Sequence, residues 1–195
     1  MSSDYVFDGT AEEHDEEEAF APLGVYGQTK AAGDIAVANA PRHYILRSSW
    51  VIGEGRNFVK TMMALSDRVA DARDGLDEVT VVDDQYGRLN LHPRHGRGDL
   101  PPARLRAPFG TYDLTGSGVV RSWADIARKV FDQANGNGDR VRPISTAEYF
   151  ANAKAPVSPR PTHSALSLAK IENAGYHAPD WEETLKTYVA KELGK

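Results

Sequence analysis

The chain has 195 residues, of which 41% are hydrophobic and 26% charged, with a formal net charge of -5 and no cysteine. That size and composition suit one ordinary globular domain. The acidic balance excludes a broad basic face for nucleic acid. The missing thiols exclude disulfides and thiolate metal sites, and no apolar run approaches the roughly 18 residues of a membrane span. A soluble, cytoplasmic protein with no nucleic-acid or membrane partner is expected.

SSDYVFDG, residues 2–9, reads as the end of a buried strand, with Tyr5, Val6 and Phe7 as strand formers and Asp8-Gly9 as the turn. AEEHDEEEA, residues 11–19, reads as a solvated loop or frayed helix face; a carboxylate metal cluster there would need a preformed turn. After Pro22, VYGQTKAAGDIAVANA predicts a helix with Ala31, Ala32, Ile35 and Ala38 at helical spacing, ending before Pro41. HYILRSSWVIG, residues 43–53, predicts a buried parallel strand. NFVKTMMALSDRVA returns to helical spacing at Phe58, Met62, Leu65 and Val69.

EVTVVDD and FGTYDLTGSG predict two further strands, and SWADIARKVFDQANG a helix that Ser122 caps and Asn-Gly stops. Pro156, Pro159 and Pro161 then lead into two short amphipathic helices around SALSLAKIENAG and DWEETLKTYVAKEL. Alternating strands and helices imply an α/β fold, with the last quarter as a small substrate-side lobe.

Tyr26 and Lys30 are four residues apart on one predicted helix, so their side chains rise from the same face. A phenol titrates near about 10, and a neighbouring ammonium stabilises the phenolate and makes the tyrosine a better proton donor at neutral pH. A hydroxyl from Ser2 or Ser3 would complete the arrangement by hydrogen-bonding a substrate carbonyl. On spacing alone, a surface tyrosine packed on a lysine stem explains the pair better; the Pro-rich approach APLGVYGQTK and the nearby SSDYVFDG shift the balance.

SSDYVFDG, PLGVYGQTKAAGD, ILRSSWVIGEGRNFVKTM, VVDDQYGR and SPRPTHSALSLAKIENAGY, in that order, resemble the motifs of the dTDP-4-dehydrorhamnose reductase family, within the extended short-chain dehydrogenase/reductases. The resemblance covers nearly the whole chain and implies reduction of the 4-keto group of a dTDP-linked 6-deoxysugar to dTDP-L-rhamnose with NADPH or NADH. It implies a catalytic set of Ser3, Tyr26 and Lys30, with Tyr26 and Lys30 also holding the cofactor. Arg47, Ser48 and Ser49 would line the approach to the nicotinamide. Ser3, Asp4, Tyr5, Trp50, Asn57 and Phe58 would face the sugar nucleotide, with plain core packing almost as good an account of Trp50. A magnesium ion is a further expectation, as is a homodimer.

A dinucleotide fold needs a Gly-rich turn between its first strand and helix. GEGRNF at Gly53, TGSGVV around Gly116 and NGNG at Asn135 all fail that pattern. The expected fold is therefore an incomplete Rossmann-like parallel sheet whose N-terminal nucleotide-binding half is missing. The expected partner is that half or a fused epimerase domain. On this reading Met1 marks a start inside a longer gene, a long apolar sheet edge is exposed, and turnover by the chain alone is low.

The expected organisation is a single partial reductase domain: residues 1–90 as the second half of the core, 91–106 as an aberrant stretch, and 107–195 as the substrate-binding lobe. NLHPRHGRGDLPPARLR, residues 90–106, has neither helical nor strand period, whereas the family places a helix of the type FTPDMAAAIFHLLD there. Read one base later from Leu91, its codons admit that helix. A one-base insertion near Asn90, compensated near Arg106, is expected, and no ligand role falls to His92 or His95. The alternatives are a non-catalytic sugar-nucleotide-binding subunit, an epimerase or dehydratase fragment, and an inactive gene fragment.

Overall fold

A computed structural model describes residues 1–72, 75–91, 101–104 and 106–194. Its elements in chain order begin with β1 (Ser2–Ser3), α1 (Val25–Ala38), β2 (Tyr44–Ser48), β3 (Val51–Ile52) and α2 (Phe58–Ala70). They continue with β4 (Val79–Val82), β5 (Tyr86–Gly87), β6 (Asn90–Leu91), α3 (Pro101–Arg104) and β7 (Gly110–Asp113). β8 (Arg121–Ser122), α4 (Trp123–Asn135), β9 (Val141–Ile144), α5 (Thr146–Tyr149), α6 (Ala169–Asn173) and α7 (Trp181–Glu192) complete the order.

Three strands form a parallel sheet in the order β1-β2-β7, with Ser3 opposite Ser48 and Arg47 opposite Asp113. β3 pairs β6 and β4 pairs β9, both parallel, while β5 and β8 form an antiparallel bridge. The α/β class and the parallel pairing match the expectation. The sheet edge does not: β1 is two serines, short and polar rather than long and apolar.

Other expectations change for local reasons. Tyr5 and Val6 are strand formers, yet Asp4–Val6 is a 3-10 turn. Ser3 caps it, its Oγ accepting the Tyr5 N–H at 3.2 Å, and this local bond turns the chain out of the sheet. In α1 the buried residues are Gly27, Ala31 and Asp34, whereas Ile35 is 57% exposed, so of the predicted apolar face of Ala31, Ala32, Ile35 and Ala38 only Ala31 packs inward. Asp34 turns inward because it pairs with Arg47 on β2. The long predicted strand over residues 43–53 is split into β2 and β3 at Trp50, whose φ is 45°.

The helix ends follow the sequence signals. Asn57, Ser122 and Asp180 cap α2, α4 and α7 through their side chains, and Gly136 closes α4 in the left-handed conformation. One core gathers Met62 and Met63 of α2, Val130 and Phe131 of α4, and Trp181 and Leu185 of α7. A second joins Leu46, Tyr112 and Leu114 to Leu168 and Ile171, so the last two helices, α6 and α7, divide between the two cores.

The acidic run is not a free loop. His14 is 1% exposed, its ring stacks on Phe7 at 4.8 Å, and Nδ1 meets Glu18 at 2.8 Å. Glu16 accepts the Asp113 N–H at 2.9 Å, and Glu13 pairs with Arg88 at 2.8 Å. These bonds strap residues 13–18 across the sheet end. Among the described residues no three His, Asp or Glu side chains gather closely enough to hold a metal ion, so no donor set supports the cluster or the magnesium expectation. Most of the aberrant stretch, residues 92–100 and 105 with His92 and His95, lies outside the described residues; its flanks form β6 and α3. No described helix is long and apolar enough to cross a membrane.

Candidate active site

In a parallel sheet the ligand end is the carboxyl end of the strands, where loops diverge. Ser3 and Ser48 end β1 and β2 there, side by side in register. Tyr26 and Lys30 reach the same place from the first turns of α1, because that helix lies very close to the 3-10 turn. Gly27 permits the approach: a Cβ at this position would stand 2.1 Å from the Tyr5 carbonyl oxygen.

The outcome is one open cavity of about 450 Å³ lined by Ser3, Asp4, Tyr5, Tyr26, Lys30 and Trp50, with Ser48 on its wall. The Lys30 ammonium stands 5.7 Å from the centroid of the Tyr26 ring, and Tyr26 is 54% exposed. Tyr5 meets Tyr26 edge-on at 5.7 Å. The Ser3 hydroxyl donates to Asp4 Oδ1 at 2.9 Å. Burial pushes the Asp4 carboxyl up to about 6, while the neighbouring Ser164 and Ser3 hydroxyls and His14 pull it down.

A second cavity, about 420 Å³, has Phe58, Trp123, Phe150, Gln85 and Arg160 among its lining residues. Two contacts join it to the first. Trp50 stacks on Trp123 with centroids 3.8 Å apart, and the positive charge of Arg160 acts on the Tyr5 phenol, offsetting part of the rise that burial imposes on it. The Trp50 ring in turn rests on Gly87, where an added Cβ would meet it at 2.9 Å.

Of the residues singled out from the sequence, Ser3, Asp4, Tyr5, Tyr26, Lys30, Ser48 and Trp50 share the first cavity, and Phe58 lines the second. Three do not line either one. Arg47 is 3% exposed, paired with Asp34 at 3.1 Å and held between the rings of Phe7 and Phe20. Ser49 is buried beside Thr115, their hydroxyls 3.5 Å apart. Asn57 uses its side chain in the chain fold: Oδ1 accepts from Lys60 N, and Nδ2 faces Gly53 O at 2.8 Å and the Tyr188 hydroxyl at 2.9 Å. Arg160, Trp123 and Gln85 received no role from the sequence. Arg160 does lie within SPRPTHSAL, one of the motifs that carried the resemblance.

The family model described as the RmlD substrate binding domain matches residues 1–193. The chain belongs to that family. This RmlD-type chain is 38% identical over 202 residues to the dTDP-4-dehydrorhamnose reductase of Sinorhizobium fredii, covering 97% of itself and 64% of that relative. It superposes on the dTDP-4-dehydrorhamnose reductase structure from Clostridium acetobutylicum with a TM-score of 0.79 at 32% identity, covering 100% of itself and 65% of that protein. The Bacillus anthracis enzyme, solved in complex with NADP, gives 0.76 at 30% identity, with 97% and 63% covered. The RmlD-type chain thus spans less than two thirds of the length of these relatives.

Proposed function

We propose that this chain provides the proton-donating residues and the sugar-nucleotide surface of an NAD(P)H-dependent dTDP-4-dehydrorhamnose reductase, which reduces the 4-keto group of dTDP-4-dehydro-6-deoxy-L-mannose. The observation that carries the reading is the meeting of Ser3, Tyr26 and Lys30 in one cavity. The names of the relatives support it.

A nicotinamide cofactor fits this chain at one end. Tyr26, Lys30 and Ser48 line the cavity, and Ser2 Oγ, on the same wall, is buried with no hydrogen-bond partner. Tyr26 and Lys30 would hold the nicotinamide ribose, and when bound the nicotinamide supplies hydride to a carbonyl carbon. Among the described residues no strand and helix are joined by a three-glycine turn of the kind that holds a pyrophosphate.

The rest is chemistry of the chain's own side chains. Ser3 orients the ketone oxygen by hydrogen bonding, and Tyr26 transfers its phenolic proton to that oxygen as negative charge develops there. The Lys30 ammonium stabilises the phenolate left behind. Trp50, stacked on Trp123, forms an apolar wall between the cavities, and Arg160 provides the cation for the diphosphate.

The test is a titration of the chain with dTDP-L-rhamnose by tryptophan fluorescence, together with NADPH oxidation in the presence of the 4-keto substrate. Saturable binding is expected, with low turnover by the chain alone that Tyr26→Phe abolishes while binding changes little. Failure to bind the sugar nucleotide overturns the proposal. Binding without NADPH oxidation selects instead a non-catalytic sugar-nucleotide-binding subunit.

A further inference from the structure

Asp4 lies directly behind the Ser3 hydroxyl, and two hydrogen bonds occupy Ser3 Oγ. Ser3 Oγ accepts the Tyr5 N–H at 3.2 Å and shares a 2.9 Å bond with Asp4 Oδ1. A hydroxyl has one proton and two lone pairs. If Asp4 is ionised, its oxygen only accepts, so the Ser3 proton is committed to Asp4 and Ser3 offers the cavity a lone pair. If Asp4 is protonated on Oδ1, it donates to Ser3. Both Ser3 lone pairs are then occupied, by Tyr5 N–H and Asp4 O–H, and the Ser3 proton is released toward the cavity.

We propose that Asp4 is the positioning residue that switches Ser3 between donor and acceptor, so that the cavity takes up a ketone with one proton on Asp4 and an alcohol without one. The inference rests on the reading of the first cavity as a sugar-nucleotide reductase site.

The surroundings of Asp4 make both states accessible. The residue is 3% exposed and Oδ2 has no hydrogen-bond partner, a costly setting for a carboxylate. Its neighbours are hydroxyls and one imidazole: Ser3 on β1, Ser164 in the segment before α6, and His14 on the acidic strap. Tyr5 follows it in the turn, and across the cavity stand Tyr26 and Lys30 of α1. The largest influences on the Asp4 carboxyl are burial, the Ser164 and Ser3 hydroxyls and His14, and burial, the foremost, brings it up to about 6. The charge-reversed possibility, a fixed carboxylate that accepts a sugar hydroxyl, would leave Ser3 permanently unable to donate to a ketone.

The decisive experiment measures affinity of the full chain for the 4-keto and the 4-hydroxy forms of a dTDP-6-deoxyhexose from pH 5 to 8, in wild type and Asp4→Asn. Ketone affinity is expected to fall toward tenfold per pH unit above the Asp4 titration while alcohol affinity stays flat. Asp4→Asn, whose amide donates to Ser3 at every pH, should bind the ketone independently of pH. Parallel profiles for the two sugars, or an unchanged ketone slope in Asp4→Asn, overturn the proposal.

A ligand-free measurement separates this outcome from failure of the reductase reading. With the aspartate carboxyl carbons labelled, the Asp4 titration is followed by NMR in wild type and Ser3→Ala. If neither sugar binds, the reductase reading has failed, and the Asp4–Ser3 coupling stands or falls on this titration. An upward shift of the Asp4 midpoint on loss of the Ser3 hydroxyl is expected, because that bond holds the midpoint down. An unmoved midpoint overturns the coupling.

Discussion

The Arg47 guanidinium donates to the Asp34 carboxylate at 3.1 Å, and both side chains are almost sealed from solvent. The pair ties the middle strand β2 to α1, the helix that carries Tyr26 and Lys30. Removing one partner leaves a buried charge uncompensated, so Arg47→Met should cost about 3–5 kcal/mol. The double variant Arg47→Met with Asp34→Leu should recover much of that loss. Urea unfolding of the two variants checks both halves of the statement.

Two glycines of α1 should respond in opposite directions. Gly27→Ala forces a methyl group against the Tyr5 carbonyl, and the helix must retreat from the 3-10 turn. A destabilisation of about 1–3 kcal/mol is expected, with weaker sugar-nucleotide binding because Tyr26 and Lys30 retreat too. Gly33→Ala meets nothing within 4 Å and should stabilise the chain by about 0.5–1 kcal/mol through helix propensity. Thermal melting of both variants tests the contrast.

Arg160 should read the diphosphate rather than the base. Replacing it with methionine removes the one cation that lines the second cavity among the described residues and is expected to weaken dTDP binding about tenfold or more. Thymidine binding should hardly change. Calorimetric titration with the two ligands distinguishes a diphosphate contact from a general packing role.

Asp113 makes stability fall as pH rises. Its side chain is fully buried with both oxygens unpartnered; burial and then the nearby Glu16 push it up to about 8, against the pull of Arg47. Between the ordinary value of 3.8 and about 8 the native state keeps a proton that the unfolded state has lost. The stabilisation is fully present below that ordinary value and is lost as pH rises through the folded one, at up to about 1.4 kcal/mol per unit. Asp113→Asn should flatten this dependence in denaturation curves taken from pH 4 to 8.

Local chemistry carried much of the fold in the sequence. Tyr26 and Lys30 are separated by one helical turn, and Ser122 followed by a helical period is a start signal complete in itself. What stayed hidden depends on partners far along the chain. Glu16 looks solvated beside other acids, but its carboxylate accepts a backbone N–H from Asp113. Arg47 sits next to Ser48 in sequence, yet alternation along β2 sends it to Asp34 rather than to the cavity. Asn57 looks like a ligand contact beside Phe58, but its side chain caps α2 and meets the Tyr188 hydroxyl on α7. Arg160 needed the fold as well, because Tyr5 lies at the other end of the sequence.

The left-handed backbone of Trp50 has one more consequence. That conformation suits glycine or asparagine, whereas the stack on Trp123 and the seat on Gly87 suit a large flat ring. No amino acid satisfies both demands, so tryptophan holds the position at the expense of local strain. Any single replacement there relaxes one requirement by breaking the other. Variation that reshapes the wall between the two cavities must therefore begin with its neighbours, Gly87 and Trp123, before Trp50 itself is free to change.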